Sequence, residues 1–179
     1  MPGIITLLDE PFASRIEDLW EAMDREFGVA RGYPGAIPHF SYHLAEEYDL
    51  EIAEKVVAAV ALAERPFEVE TSGFGVFTGP APVVYIPVAR SPELAALHAM
   101  VCDRMRRAGI ETVPYYLPER ALPHITIAQQ NVPAEVLPAL LGWLARQDLS
   151  WRLPATNLAI ADQTPGGSVV FRRFPLCGR

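Results

Sequence analysis

Lysine is almost missing from this chain. Lys55 stands alone among 179 residues, and basic side chains of all kinds number 15 against 22 acids, a net charge of −7. A protein that grips long nucleic acid through its phosphates needs the opposite balance, so any phosphate site here must be small and local. Cysteine is scarce as well: Cys102 and Cys177 are too few for a disulfide framework, and neither has a second cysteine at metal-ligand spacing. The longest apolar run, residues 56–63, is less than half of the ~18 residues that a membrane span needs, so no membrane partner is expected. Residues 1–10 carry no basic leader and meet acids before a secretory apolar core can form, which makes a cytoplasmic address the expectation. With 50% hydrophobic and 21% charged residues, the composition is that of a chain with a packed core.

The length suits one domain, or one domain built from two similar halves, and a monomer is expected. Period and punctuation predict a strand at 3–8 and a helix from 12 with Phe12, Ile16, Leu19, Trp20, Met23 and Phe27 inside, stopped by Gly28. A strand at 39–44 follows, then a helix capped by Asp49 that buries Ile52, Val56, Ala59, Val60 and Ala63, and one strand over 67–77. The second half repeats the pattern: strand 83–89, a helix opened by Ser91-Pro92-Glu93, strand 123–129, a helix from Pro133, and strands at 151–161 and 168–176. The order strand, helix, strand, helix, strand recurs with a period of about 85 residues, so the chain reads as duplicated, with approximate halves 1–78 and 79–179. Such an order predicts an α+β fold of antiparallel sheets covered outside by helices, with a central cleft between the halves.

Each half places the same motif at the same point of that pattern. The first reads Ile37-Pro38-His39-Phe40-Ser41-Tyr42, the second Leu122-Pro123-His124-Ile125-Thr126-Ile127. Two of only four histidines are spent on it. Alternation along a strand turns His39 and Ser41 to one face, and Phe40 and Tyr42 to the other; His124 and Thr126 separate from Ile125 and Ile127 in the same way. Two facing imidazoles, each with a hydroxyl two residues along, suit a phosphodiester. With an unperturbed pKa of ~6.5, one neutral ring takes a proton from water or a hydroxyl while the other, protonated, gives one to the departing oxygen. Ser41 and Thr126 can donate to the non-bridging oxygens as charge builds there, and this chemistry requires no metal.

Paired His-x-Ser/Thr motifs in a duplicated chain of this length resemble the two-histidine phosphoesterase superfamily, in particular its bacterial 2′-5′ RNA ligase-like and cyclic phosphodiesterase members. Residues 73–77, the strand at 83–88 and the helix at 92–109 are also similar to that family. The resemblance implies a bilobal, pseudo-twofold fold without a cofactor, with His39 and His124 as acid and base and Ser41 and Thr126 as phosphate ligands. Ser41 stands where threonine is more usual, and no basic residue flanks the second motif, so a small nucleotide or an RNA end is the expected partner.

Other residues carry two readings each. On a regular strand His43 shares the face of His39 and lines the cleft, yet its counterpart Ala128 supplies no second copy, and packing is the alternative. The His39–His43 spacing does not indicate a metal, since four strand residues separate the rings by roughly 13 Å. Tyr115 and Tyr116 either stack on a base or pack their loop, and Arg120 either contacts a second phosphate or ribose or lies on the surface. His98 reads as a structural residue of the third helix. Three functions stay open: opening of 2′,3′-cyclic phosphates, reversible as 2′-5′ ligation; nucleotide or RNA-end binding with little turnover; and the same chemistry on another cyclic phosphate, such as that of ADP-ribose.

Overall fold

The computed structural model describes residues 1–30, 35–129, 132–164 and 167–178, and the fold is α+β. The first half runs β1 (Pro2–Leu7), α1 (Phe12–Phe27), β2 (His39–Leu44), α2 (Leu50–Ala63), β3 (Phe67–Glu70) and β4 (Gly75–Phe77). The second runs β5 (Val83–Pro87), α3 (Pro92–Arg107), β6 (His124–Ala128), α4 (Leu137–Leu144), β7 (Arg152–Ala155), β8 (Asn157–Thr164) and β9 (Gly167–Pro175).

The helices begin and end where local chemistry directs. Asp49 accepts a hydrogen bond from the Ile52 amide and Ser91 one from the Leu94 amide, satisfying donors that a helix start leaves unpaired. Gly28 closes α1 in the left-handed region at φ 65°, where a side chain would be strained. In α1 the buried residues Ile16, Leu19, Trp20 and Met23 follow the predicted stripe. In α2 they are Ala53, Val57, Val60 and Ala61, a stripe turned from the expected one, leaving Ile52 38% exposed. That helix is apolar over most of its circumference, so its sequence offers more than one stripe, and contact with α3, β8 and β9 selects the side with the smaller residues.

Seven strands form one antiparallel sheet in the order β4-β5-β6-β2-β1-β8-β9, and β3 pairs with β7 in a separate two-stranded ladder. The expected single strand over 67–77 therefore divides between the two sheets at Gly73, whose φ of 62° turns the chain, and the expected strand 151–161 divides in the same way into β7 and β8. The motif strands β2 and β6 are neighbours at the centre, joined by the single pair Phe40↔Ile125. Each sequence half also lends strands across that centre: β4 completes the ladder of β5 and β6, while β8 and β9 extend that of β1 and β2. The core lies under one face of this sheet, where Phe40, Tyr42, Ile125 and Ile127 are buried with Leu97, Val101 and Met105 of α3.

Candidate active site

The open face of the central strands belongs to the motif's polar residues. His39, Ser41, His124 and Thr126 are half-buried, and the residues between them are shut into the core. Tyr42 is locked there by its hydroxyl, 2.8 Å from that of Thr6, which itself donates to the Asn157 carbonyl. Each strand is fastened from beneath by its apolar partners and presents its histidine and alcohol above.

Both strands then bulge at the same place. Ile4 opposes His43 and Ile5 opposes Ser41, leaving Tyr42 as the extra residue; Val84 opposes Ala128 and Tyr85 opposes Thr126, leaving Ile127. An extra residue reverses the facing of everything after it. His43 accordingly points inward, fully buried like its counterpart Ala128, and does not line the cleft. Its Nδ1 lies 2.6 Å from the Tyr48 hydroxyl and its Nε2 makes no hydrogen bond of proper geometry. Burial pushes its pKa down to about 4, against a weaker opposing contribution from the Ile110 carbonyl. The residues that the bulges do deliver to the cleft are Leu44 and Gln129.

The two catalytic candidates are oriented identically. His39 Nδ1 lies 2.7 Å from the Ile37 carbonyl and His124 Nδ1 lies 2.7 Å from the Leu122 carbonyl. A carbonyl only accepts, so Nδ1–H must donate, and in the neutral ring the lone pair resides on Nε2. Both pKa values are lowered from the ordinary histidine value. For His39 burial is the main cause, with a lesser contribution from the charge of His124; for His124 it is burial. His39, Ser41, His124 and Thr126 line one cleft of about 140 Å³, together with Trp20, Leu44, Tyr116, Gln129 and Gln163.

Residues 8–167 match the sequence model of the 2′-5′ RNA ligase superfamily. The chain belongs to that superfamily. No curated protein matches its sequence. Among solved structures, TT0787 of Thermus thermophilus superposes with a TM-score of 0.66 at 19% identity, covering 99% of this chain and 98% of that one. LigT of E. coli, crystallised with 3′-AMP, gives 0.57 at 17% identity over 98% of each chain. The phosphate complex of LigT gives 0.54 at 16% identity, again over 98% of each. At these identities the likeness speaks for the fold alone.

On this superfamily frame the remaining candidates separate. Tyr116 lines the central cleft, and its carbonyl accepts from His98 Nε2 at 2.9 Å, so buried His98 holds the loop in place. Tyr115, Tyr116 and Arg120 border an adjoining bay that shares His124, Thr126 and Gln129 with the cleft and continues to Phe77 and Val83. Elsewhere on the surface Arg172 and Arg173 pair with Glu54 and Asp9. Among the described residues no group of three or more His, Cys, Asp or Glu side chains is placed to hold a metal, and no helix is long and apolar enough to cross a membrane. Sequence reasoning missed Trp20, Leu44, Phe77 and Gln163. Trp20 reads as part of a helix core stripe, Leu44 reaches the cleft only through the bulge, and Gln163 arrives on a strand lent by the other half.

Proposed function

We propose that this protein is a phosphodiesterase that opens 2′,3′-cyclic phosphates on nucleotides or short RNA ends, with His39 and His124 as general acid and base. The observation that carries this reading is the matched pair of Nδ1–carbonyl hydrogen bonds, which leaves both Nε2 atoms for a shared cleft that Ser41 and Thr126 also line. In-line displacement at phosphorus asks for a proton acceptor on one side and a proton donor on the other, and two imidazoles of modest pKa supply both. The two hydroxyls suit the non-bridging oxygens, whose charge grows in the transition state. With an RNA 5′-hydroxyl in place of water as the attacking group, the same site would form a 2′-5′ bond as the bond from phosphorus to the ribose 3′-oxygen breaks. The net charge of −7 favours a small substrate over a long strand.

The test is turnover of 2′,3′-cyclic nucleotides by the purified protein in excess EDTA. The expected result is hydrolysis that His39→Ala and His124→Ala each reduce by about 10²- to 10⁴-fold, the usual worth of one acid or base. Binding without turnover by the unmutated protein, or turnover that both variants retain, would overturn the proposal.

A further inference from the structure

Two helices reach the motif strands from beneath, and they do so in matching fashion. Buried Ile16, Leu19, Trp20 and Met23 of α1 have the same spacing as buried His98, Val101, Cys102 and Met105 of α3, which makes Trp20 and Cys102 equivalent positions of the two repeats. The Trp20 indole Nε1–H donates to the Ile127 carbonyl at 2.9 Å. The Cys102 thiol lies 3.7 Å from the Tyr42 carbonyl. Ile127 and Tyr42 are the extra residues of the two matched bulges. The support crosses the centre of the molecule: a side chain of the first repeat holds the second motif, and one of the second repeat holds the first.

The bulges make such partners necessary. Neither Tyr42 nor Ile127 has a register partner on either neighbouring strand, since β2 and β6 pair with each other only at Phe40 and Ile125. A bulge leaves its extra residue outside the ladder, and a buried carbonyl needs a donor. Trp20, itself 4% exposed, supplies a strong one. Cys102 supplies a weak one, shared with the Tyr116 carbonyl at 3.8 Å; burial pushes its pKa up to about 12, so the thiol keeps its proton. One residue before each held carbonyl stands an alcohol of the cleft, Thr126 or Ser41. Holding Ile127 holds the backbone from which Thr126 projects, and Tyr42 stands in the same relation to Ser41.

We infer that Trp20 and Cys102 are positioning residues for the alcohols of the opposite motif: Trp20 fixes the Ile127 bulge and with it Thr126, and Cys102 fixes the Tyr42 bulge and with it Ser41. This rests on the phosphodiesterase reading above, in which both hydroxyls donate to the non-bridging oxygens. Those bonds strengthen as charge builds on the oxygens, so a displaced alcohol lowers kcat more than it raises KM. The donors are unequal, and the Thr126 side depends on its brace more than the Ser41 side does.

The experiment is a set of double-mutant cycles on 2′,3′-cyclic nucleotide hydrolysis. Trp20 also lines the cleft, and Trp20→Phe removes its donor while keeping an aromatic ring there. This variant is expected to lower kcat about 3- to 10-fold, the usual effect of one neutral hydrogen bond, with KM within about twofold. The loss should shrink to less than about twofold in a Thr126→Ala background and persist in full with Ser41→Ala, because only Thr126 depends on that bond. Cys102→Ala should lower kcat about twofold, an effect absent with Ser41→Ala, and Cys102→Ser, which restores a donor, should recover the rate. A Trp20→Phe loss of equal size in both backgrounds, a rise in KM alone, or lower thermal stability at unchanged kcat would overturn the Thr126 brace. An undiminished rate in Cys102→Ala, or a loss that Cys102→Ser does not restore, would overturn the Ser41 brace. An unmutated protein inert toward cyclic nucleotides defeats the phosphodiesterase reading instead. The Trp20 brace is then decided by NMR of the indole proton: protection from solvent exchange supports it, and exchange at the rate of an exposed indole overturns it.

Discussion

At the scale of single residues, the alternation of each motif was enough to read which side chains reach the cleft, because Phe40, Tyr42, Ile125 and Ile127 leave the histidines and alcohols no other side. His43 was not legible. A bulge redirects it, and no glycine or proline marks the place in Ser41-Tyr42-His43. Its burial has a thermodynamic consequence. The folded pKa of about 4 lies below the ordinary value of 6.5, so the unfolded chain binds the proton more readily, and this contribution to stability is lost as pH falls from about 6.5 towards 4. His43→Phe should flatten that dependence, by up to about 3 kcal/mol between pH 7 and pH 4 in denaturant titrations; an unchanged pH profile would contradict it. His39 and His124 are also shifted downward, and a bell-shaped rate profile peaks between its two apparent values. The maximum of kcat/KM is therefore expected below pH ~6.5. At the alcohols, Thr126→Ala and Ser41→Ala should each lower kcat by about 10²-fold, as loss of a transition-state donor does, while Ser41→Thr keeps the donor and most of the rate.

At the scale of elements, caps and stops were plain in the sequence: Asp49, Ser91 and Gly28 act where their chemistry says they should. Strand partners were not, since a run of residues states its alternation but not its neighbour. Residues 67–77 alternate well enough to pass for one strand, and only the pairing of β3 with β7 and of β4 with β5 shows that they serve two sheets. The short β4 owes its place to Gly75. Gly75→Ala would drive a methyl into the Tyr85 ring, an overpacking that costs about 1–3 kcal/mol. A fall in melting temperature of roughly 2–12 °C is expected, at about 2–4 °C per kcal/mol for a domain of this size. Calorimetry showing no change would mean that the ring moves aside freely.

At the scale of the whole molecule, duplication was visible in the motifs, but the lending of strands across the centre was not. The two ladders meet at Phe40 and Ile125, both buried, and the distance between the His39 and His124 rings depends on that seam. Ile125→Ala is expected to destabilise the protein by about 2–5 kcal/mol, and to depress kcat even where the variant remains folded. A destabilised variant with an unchanged kcat would show that the seam supports the fold without setting the site. The exposed turn at 78–81 is a place where a protease can reach the chain. A nick there would divide the sequence between its two repeats without releasing either piece: the shorter fragment would still clasp β5 with β4, the longer would still hold β1 with β8, and both imidazoles would stay in place until a denaturant pulled the clasp apart.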